Sequence, residues 1–378
     1  MVALNSIPKR VLVAMSGGVD SSVAAYLLKK QAYEVIGITF QLYDFSRQNR
    51  KEGKGGCCSI EDVDDAKLVA DRLGIKHYLV NSKEDFRKKV VDYFVSSYKR
   101  GLTPNPCVAC NTFIKFDELE DQAHILGVDY LATGHYARLK WDATDRCHRI
   151  YRAGDDAKDQ SYFLMGLDSA KFSRILFPCG DYSKEEIRAF ATEAGLCTNK
   201  KKESMEICFV PNNDYKSFLR QNSEINSQEG DIVNERGDVV GRHSGIHNFT
   251  VGQRKGFGSL GLEAHYVVRL DAKKNQVVVG QESGLFSKGL VFEPSHFSAK
   301  DLDKYFDKTL FVKIRSRSAF IPVRITGVEK DGVFAEFEES QRAVTPGQFA
   351  VFYEEQKLIG GGAILEALPE MRSEQFGT

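Results

Sequence analysis

The sequence predicts an α/β fold, a doubly wound parallel sheet followed by two small, mostly β domains, the last of them a β-barrel. Three observations carry that prediction. From residue 10 to about 200, apolar runs alternate with segments of helical period, as a parallel sheet with crossover helices requires. Beyond about residue 212 the texture becomes short β-branched runs broken by Gly, Asn and Asp, which suits small barrels and antiparallel sheets. The first apolar run also meets the first helical segment through SGGVDSS, a turn whose paired glycines let the backbone reach positive φ and approach an anion.

In chain order, "RVLVAM" reads as a buried strand and "SSVAAYLLKK" as the helix after it. "EVIGITF" with "IEDVDDAKLVADRLG" repeats the pair, as does "KHYLVN" with "FRKKVVDYFVSSYKRG", and "DYLATGHYARL" brings a further strand. In the second half "GDIVNERGDVVG", "HYVVRLDAKKNQVVVG", "KTLFVKIRSRSAFIPVRITGVEKDGVFAEFEES" and "GQFAVFYEEQKLIGGGAILEA" read as closely spaced strands with turn residues between them. The divisions expected are a catalytic domain over 1–211, a small β domain over 212–289 and a β-barrel over 290–378. Residues 44–56, polar and glycine-rich, read as a loop.

The bulk properties narrow the class. At 378 residues and 42% hydrophobic content the chain can bury two or three cores. No apolar run has the length of a bilayer span, and the start lacks the pattern of a signal or transit peptide, so a cytoplasmic location is expected. There the eight cysteines stay mostly reduced, and a CxxC pair reads as redox-active, metal-binding or catalytic. Lys plus Arg balances Asp plus Glu at 52 each, which removes a global positive field without excluding nucleic acid, since a local basic stripe suffices.

The turn of Ser16, Gly17, Gly18, Val19, Asp20, Ser21 and Ser22 places free helix-start amides beside an anion, with three hydroxyls as added donors. It lacks the Gly-Lys-Ser/Thr of a Walker loop. The pattern resembles instead the pyrophosphatase loop of the N-type ATP pyrophosphatase superfamily, which splits ATP into AMP and pyrophosphate while adenylating an oxygen. A second glycine motif, "GFGSLG" at 256–261, precedes a strand and not a helix, so it reads as a plain loop. Adenylation needs a following nucleophile, and the thiols of "TPNPCVACN", Cys107 and Cys110, with the distant Cys208, are the candidates. Adjacent Cys57 and Cys58 face opposite ways on extended chain, and Cys147, Cys179 and Cys197 lack partner spacing. His243 and His247 are spaced like metal ligands but lack a third, so a non-metal role is expected.

Taken together, "AMSGGVDSSVAAYLL", "GCCSIEDVDDAKLVADRLGI", "NPCVACNTFIKFDEL", "LATGHYAR", "KDQSYFL", "ESMEICFV" and "GQRKGFG" resemble the tRNA-specific 2-thiouridylase family over nearly the whole chain. That resemblance implies thiolation of the wobble uridine of tRNAs for Lys, Glu and Gln, driven by ATP with Mg2+. ATP would lie on Ala14, Met15, Ser16, Gly17, Gly18, Val19, Asp20 and Ser21, with adenosine against Phe40 and Gly134. Sulfur carried as a persulfide on Cys208 would attack C2, with Cys110 as the second catalytic thiol. It would come from a donor such as a cysteine desulfurase or a sulfur-relay protein.

The target base would face Asn105, Pro106 and Cys107, and tRNA would also touch Lys158, Asp159, Gln160, Arg315 and Ser316. Many members of the family carry an aspartate where this chain has Cys107. CxxC plus a distant Cys is similar to related thiolation enzymes in which three cysteines hold a [4Fe–4S] cluster, so Cys107, Cys110 and Cys208 form an alternative metal set. On a strand, Lys313, Arg315 and Arg317 would share one cationic face, and "KKK" at 200–202 would guide phosphate. Two further readings stay open: another adenylating tRNA-modifying or metabolite ligase, which needs no cysteine, and a non-catalytic RNA-binding adaptor.

Overall fold

The computed structural model describes residues 8–43, 60–201, 207–222, 228–258, 263–297, 302–306 and 308–370, so the 44–56 stretch, Cys57 and Cys58 lie outside the described residues. The chain forms two compact units, one of residues 1–91, 106–214 and 356–358, the other of 92–105, 215–355 and 359–378.

The first unit holds five parallel strands, β1 (Arg10–Ala14), β2 (Glu34–Gln41), β3 (Lys76–Asn81), β4 (Tyr130–Ala132) and, after the antiparallel hairpin β5 (Arg138–Asp142) and β6 (Cys147–Tyr151), β7 (Ile175–Leu176). The order is β3-β2-β1-β4-β7, so the winding reverses between β1 and β4. Val11, Leu12 and Val13 are all fully buried, as expected of a central parallel strand covered on both faces. Helix α1 (Val19–Lys30) follows β1 and helix α2 (Ile60–Leu73) precedes β3. Their apolar faces join β1 in one core, through Val23, Leu27 and Leu28 on α1 and Ala66, Val69 and Leu73 on α2.

The CxxC stretch, whose two preceding prolines read in the sequence as an exposed loop, is helical instead. Pro106–Cys110 is a short α-helix, Asn111–Phe116 is wound more widely as a π-helix, and Asp117–Leu126 continues as α-helix to a left-handed Gly127. Pro106 suits a helix start because its ring presets φ and its missing N–H has no intrahelical acceptor to lose. Cys110 is only 8% exposed as a result.

In the second unit, helix Asp92–Lys99 packs Phe94 against Phe218 and stacks Tyr98 on Tyr215 at 4.9 Å. Strands β8 (Gly230–Asn234), β9 (Val239–His243), β10 (Tyr266–Asp271) and β11 (Gln276–Gly280) form one sheet in the order β10-β11-β8-β9. Strands β12 (Phe286–Phe292), β13 (Leu310–Lys313), β14 (Ile321–Glu329), β15 (Gly332–Arg342), β16 (Phe349–Glu354) and β17 (Lys357–Pro369) follow in the order β12-β15-β14-β13-β16-β17. Pairing of β12 with β17 closes them into a six-stranded barrel, around Phe292 and Phe352 whose rings lie 4.7 Å apart.

The expected cationic stripe on β13 is absent. The strand ends at Lys313, and Ser318 N–H donates to the Arg315 carbonyl at 3.0 Å to close a turn. The Ser318 hydroxyl accepts from Ile314 N–H at 3.2 Å, so local serine chemistry ends the strand pattern before alternation can align the cations. Lys313 is buried over the Phe320 ring, while an Arg315 guanidinium N–H donates to the Arg342 carbonyl at 3.1 Å. Substituting Phe352→Ala should destabilise the barrel by about 3–5 kcal/mol, read from urea unfolding followed by circular dichroism.

Candidate nucleotide site

Between β1 and α1 the chain turns through Gly17, whose φ of +69° is left-handed and whose added Cβ would lie 2.1 Å from the Asp62 carbonyl oxygen. Only glycine meets both conditions. The Ser21 hydroxyl accepts from Ser16 N–H at 3.1 Å and donates to the Gly18 carbonyl at 3.1 Å, and Ser22 donates to the same carbonyl at 2.8 Å. These bonds hold the turn at the start of α1, where first-turn amides lack intrahelical acceptors and favour an anion.

Asp20 is the node of the site. Its Oδ1 accepts from Lys184 Nζ at 2.7 Å and from the Tyr136 hydroxyl at 2.7 Å. The Lys184 side chain is 6% exposed and begins helix Lys184–Glu193, which Ser183 and Glu186 cap reciprocally. A cation at a helix start opposes the helix dipole, so Lys184 is held there by Asp20. Gly134, just beyond β4, brings its backbone against the start of α1: a Cβ there would lie 2.5 Å from Ser21 N.

A cavity of about 190 Å³ opens at the carboxyl ends of β1, β2 and β4, where the strand order reverses. Ala14, Met15, Ser16, Asp20, Ser21, Phe40 and Gly134 line it, whereas Gly17, Gly18 and Val19 shape the turn without lining it. Sequence reasoning missed Ile38, Thr39, Leu42, Lys115, Thr133 and His135, which line the same cavity. Ile38 and Thr39 stand within two residues of Phe40, and Thr133 and His135 on either side of Gly134, so they adjoin in the chain the two residues that the resemblance marked. Thr39 also donates to the Met15 carbonyl at 2.7 Å and so joins β2 to β1. The His135 ring is half-buried, bonded to the Thr133 hydroxyl at 2.7 Å and stacked on Phe116. Burial, and secondarily Lys115, holds this imidazole neutral, well below its ordinary pKa.

The residues of "KDQ" divide their roles. Asp159 accepts from Ala153 N–H at 3.1 Å and from the Ser161 hydroxyl at 2.9 Å, which fixes the local turn. Gln160, which the resemblance assigned to tRNA, lines the nucleotide cavity and its Oε1 accepts from Tyr136 N–H at 3.0 Å. Lys158 is half-buried. Of the 200–202 lysines, Lys201 is drawn against the phosphate turn: its ammonium donates to the Gly17 carbonyl at 3.1 Å and pairs with Asp62 at 2.7 Å and with Asp65.

Half-buried Cys107 and buried Cys110 stand three residues apart on one helix. Half-buried Cys208 belongs to a separate turn, next to Phe209, whose buried ring packs on Phe86 at 5.5 Å. Among the described residues no three His, Cys, Asp or Glu side chains gather to hold a metal ion, so the three-cysteine cluster site is not assembled. Fully buried Cys179 donates to the Asp20 carbonyl at 3.4 Å, and burial, followed by the Asp20 charge, raises its thiol pKa. In the second unit, His243 spends both ring nitrogens on backbone, accepting from Gly245 N–H and donating to the Asn275 carbonyl.

A glycine turn on a helix start, at the switch point of a parallel sheet, is the arrangement of a nucleotide-binding α/β domain. Three family models match in series: the tRNA methyl transferase HUP domain over 9–212, the tRNA methyl transferase PRC-barrel domain over 216–281 and the aminomethyltransferase beta-barrel domain over 287–364. The tRNA-specific 2-thiouridylase MnmA of Carboxydothermus hydrogenoformans is 45% identical over 361 residues, 95% of this chain and 98% of that protein. Its counterparts in Clostridium botulinum and Geotalea uraniireducens are each 44% identical, over 94% and 96% of this chain and 99% and 97% of theirs. The chain belongs to the tRNA-specific 2-thiouridylase family.

Two outcomes follow from this geometry. Gly134→Ala should weaken ATP binding at least tenfold in a calorimetric titration, since the new methyl group displaces the start of α1. Because burial lowers the His135 pKa, its contribution to stability is complete above the ordinary imidazole value of 6.5 and is lost as pH falls below it. Thermal melts should show that acid loss reduced in His135→Gln.

Proposed function

We propose that this protein 2-thiolates the wobble uridine of tRNAs for Lys, Glu and Gln at the expense of ATP. One observation carries the reading: the helical run that bears Cys107 and Cys110 continues within five residues to Lys115, which lines the nucleotide cavity. A reactive thiol segment and an adenylating site thus share one element. Family membership supplies the substrate class.

Uridine O2 attacks the α-phosphorus of ATP and pyrophosphate leaves, so a poor leaving group becomes AMP. A terminal persulfide sulfur on Cys208 then attacks C2, forming C2–S–S–Cys208 as AMP departs with the original oxygen. The Cys110 thiolate attacks the Cys208 sulfur, which releases 2-thiouridine and leaves a Cys110–Cys208 disulfide. A cellular thiol reduces that disulfide, and a donor such as a cysteine desulfurase or a sulfur-relay protein reloads Cys208. Mg2+ bound with ATP supplies phosphate charge neutralisation, and Asp20 is the cavity-lining carboxylate that would hold it.

No step is derived through an iron–sulfur cluster, because the three thiols do not form a metal-holding group. Asn105, Pro106 and Cys107 are assigned to the target base and Lys158, Arg315 and Ser316 to the tRNA backbone. None of the described helices is long and apolar enough to cross a membrane. The proposed location is the cytoplasm, as the tRNA substrate suggests.

Cys208→Ser should abolish thiolation while retaining tRNA-stimulated pyrophosphate release. Full thiolation by that variant would sink the proposal. Cys107→Ala should keep thiolation driven by a cysteine desulfurase within about tenfold of the parent, measured as 2-thiouridine in digested tRNA.

A further inference from the structure

Within the first unit, the β5–β6 hairpin carries a feature that the nucleotide chemistry does not use. Trp141 is the only tryptophan of the chain and is 60% exposed. An indole costs more to leave in water than most side chains, since burial of an aromatic removes roughly 150–250 Å² from solvent. Trp141 pairs across the hairpin with His148, the two rings meeting edge to face at 5.4 Å, so one side of the hairpin presents two adjacent π systems. β5 is an edge strand, which leaves its outer side open.

Of the exposed cations on the hairpin, Lys140 alternates to the opposite face of β5, over the Tyr151 ring at 5.9 Å, while Arg146 stands in the connecting turn as a left-handed residue at φ +51°. The acids of the hairpin are already engaged. Asp142 is buried, and the Asp145 amide and the Tyr151 hydroxyl hold its carboxyl well below the usual range. Asp145 accepts from Arg149 at 2.9 Å.

We propose that the β5–β6 hairpin is an RNA contact, with an unpaired base of the tRNA stacked on Trp141 and Arg146 of the connecting turn placed against a flanking phosphate. A solvent-facing indole on an open edge strand, with an exposed arginine in the adjoining turn and the hairpin's acids engaged, is the chemistry of single-stranded nucleic acid, in which every base offers a π face and every linkage a negative charge. This assignment rests on the tRNA reading above and adds a specific contact to it.

Because the indole is unique, its fluorescence reports this one site. Unmodified tRNA Lys transcript should quench it saturably and protect it from acrylamide, with the same midpoint as filter binding. Trp141→Ala should bind the transcript roughly 5- to 150-fold more weakly, with kcat at saturating tRNA unchanged, and Trp141→Phe should recover most of that loss. Unchanged fluorescence at saturating tRNA, or parental affinity in Trp141→Ala, overturns the assignment. Quenching that arises only on adding a cysteine desulfurase overturns it too, and makes the hairpin a protein-docking face. If the wild-type protein thiolates tRNA with its indole unmoved, only the hairpin assignment fails. If it thiolates no tRNA at all, the functional reading fails with it.

Discussion

The Lys184–Asp20 ion pair is the constraint on which the nucleotide site depends. It joins two elements distant in sequence, the start of α1 and the start of the 184–193 helix, and Tyr136 beyond β4 bonds to the same carboxylate oxygen. A pair this enclosed adds little net stability, because desolvating both charges offsets most of their attraction. Its value lies in position. Asp20 lines the cavity, and with Lys184 and Tyr136 both on its Oδ1 its rotation is restricted before any ligand arrives.

The backbone supplies the matching half of that constraint. Gly17 abuts the Asp62 carbonyl and Gly134 abuts the Ser21 amide, so two missing side chains let α2 and the end of β4 press directly on the phosphate turn. Lys201 closes the third side through Gly17, Asp62 and Asp65. The turn is therefore surrounded by main chain and fixed charge, which suits preorganised binding of a polyphosphate and leaves little freedom for the loop to collapse when empty. The thiols are positioned differently. Cys110 gains its place from a proline-started helix that widens into a π-turn, a winding found often at functional sites, and Cys208 from the buried ring of its neighbour Phe209.

The parallel sheet and the phosphate turn were legible in the sequence because each rests on local order, whereas Phe40 and Gly134 entered only with the family resemblance. A β-branched run, a glycine pair and a helical repeat read the same in any context. The cationic stripe failed for the same reason turned round: alternation assigns a face only while the strand lasts, and Ser318 closes a turn after Lys313. Likewise "PNPCVAC" has the punctuation of a loop, yet a proline at a first helical position is compatible with either outcome, and packing in the first unit decided for helix.

The sequence by itself determined the chemistry available to this protein: a lysine-free phosphate turn, three thiols at stated positions, and strand-and-helix order that imposes a parallel sheet. Local dihedral preference and side-chain periodicity suffice for that. Only the tertiary structure decided which groups meet. Lys184 with Asp20, Lys201 with the Gly17 turn, Gln160 and His135 at the nucleotide cavity, and Cys208 on a different support from Cys107 and Cys110 are all long-range facts. They depend on how helices and strands pack, and packing is selected by buried area and charge pairing across more than a hundred residues, which no local pattern encodes.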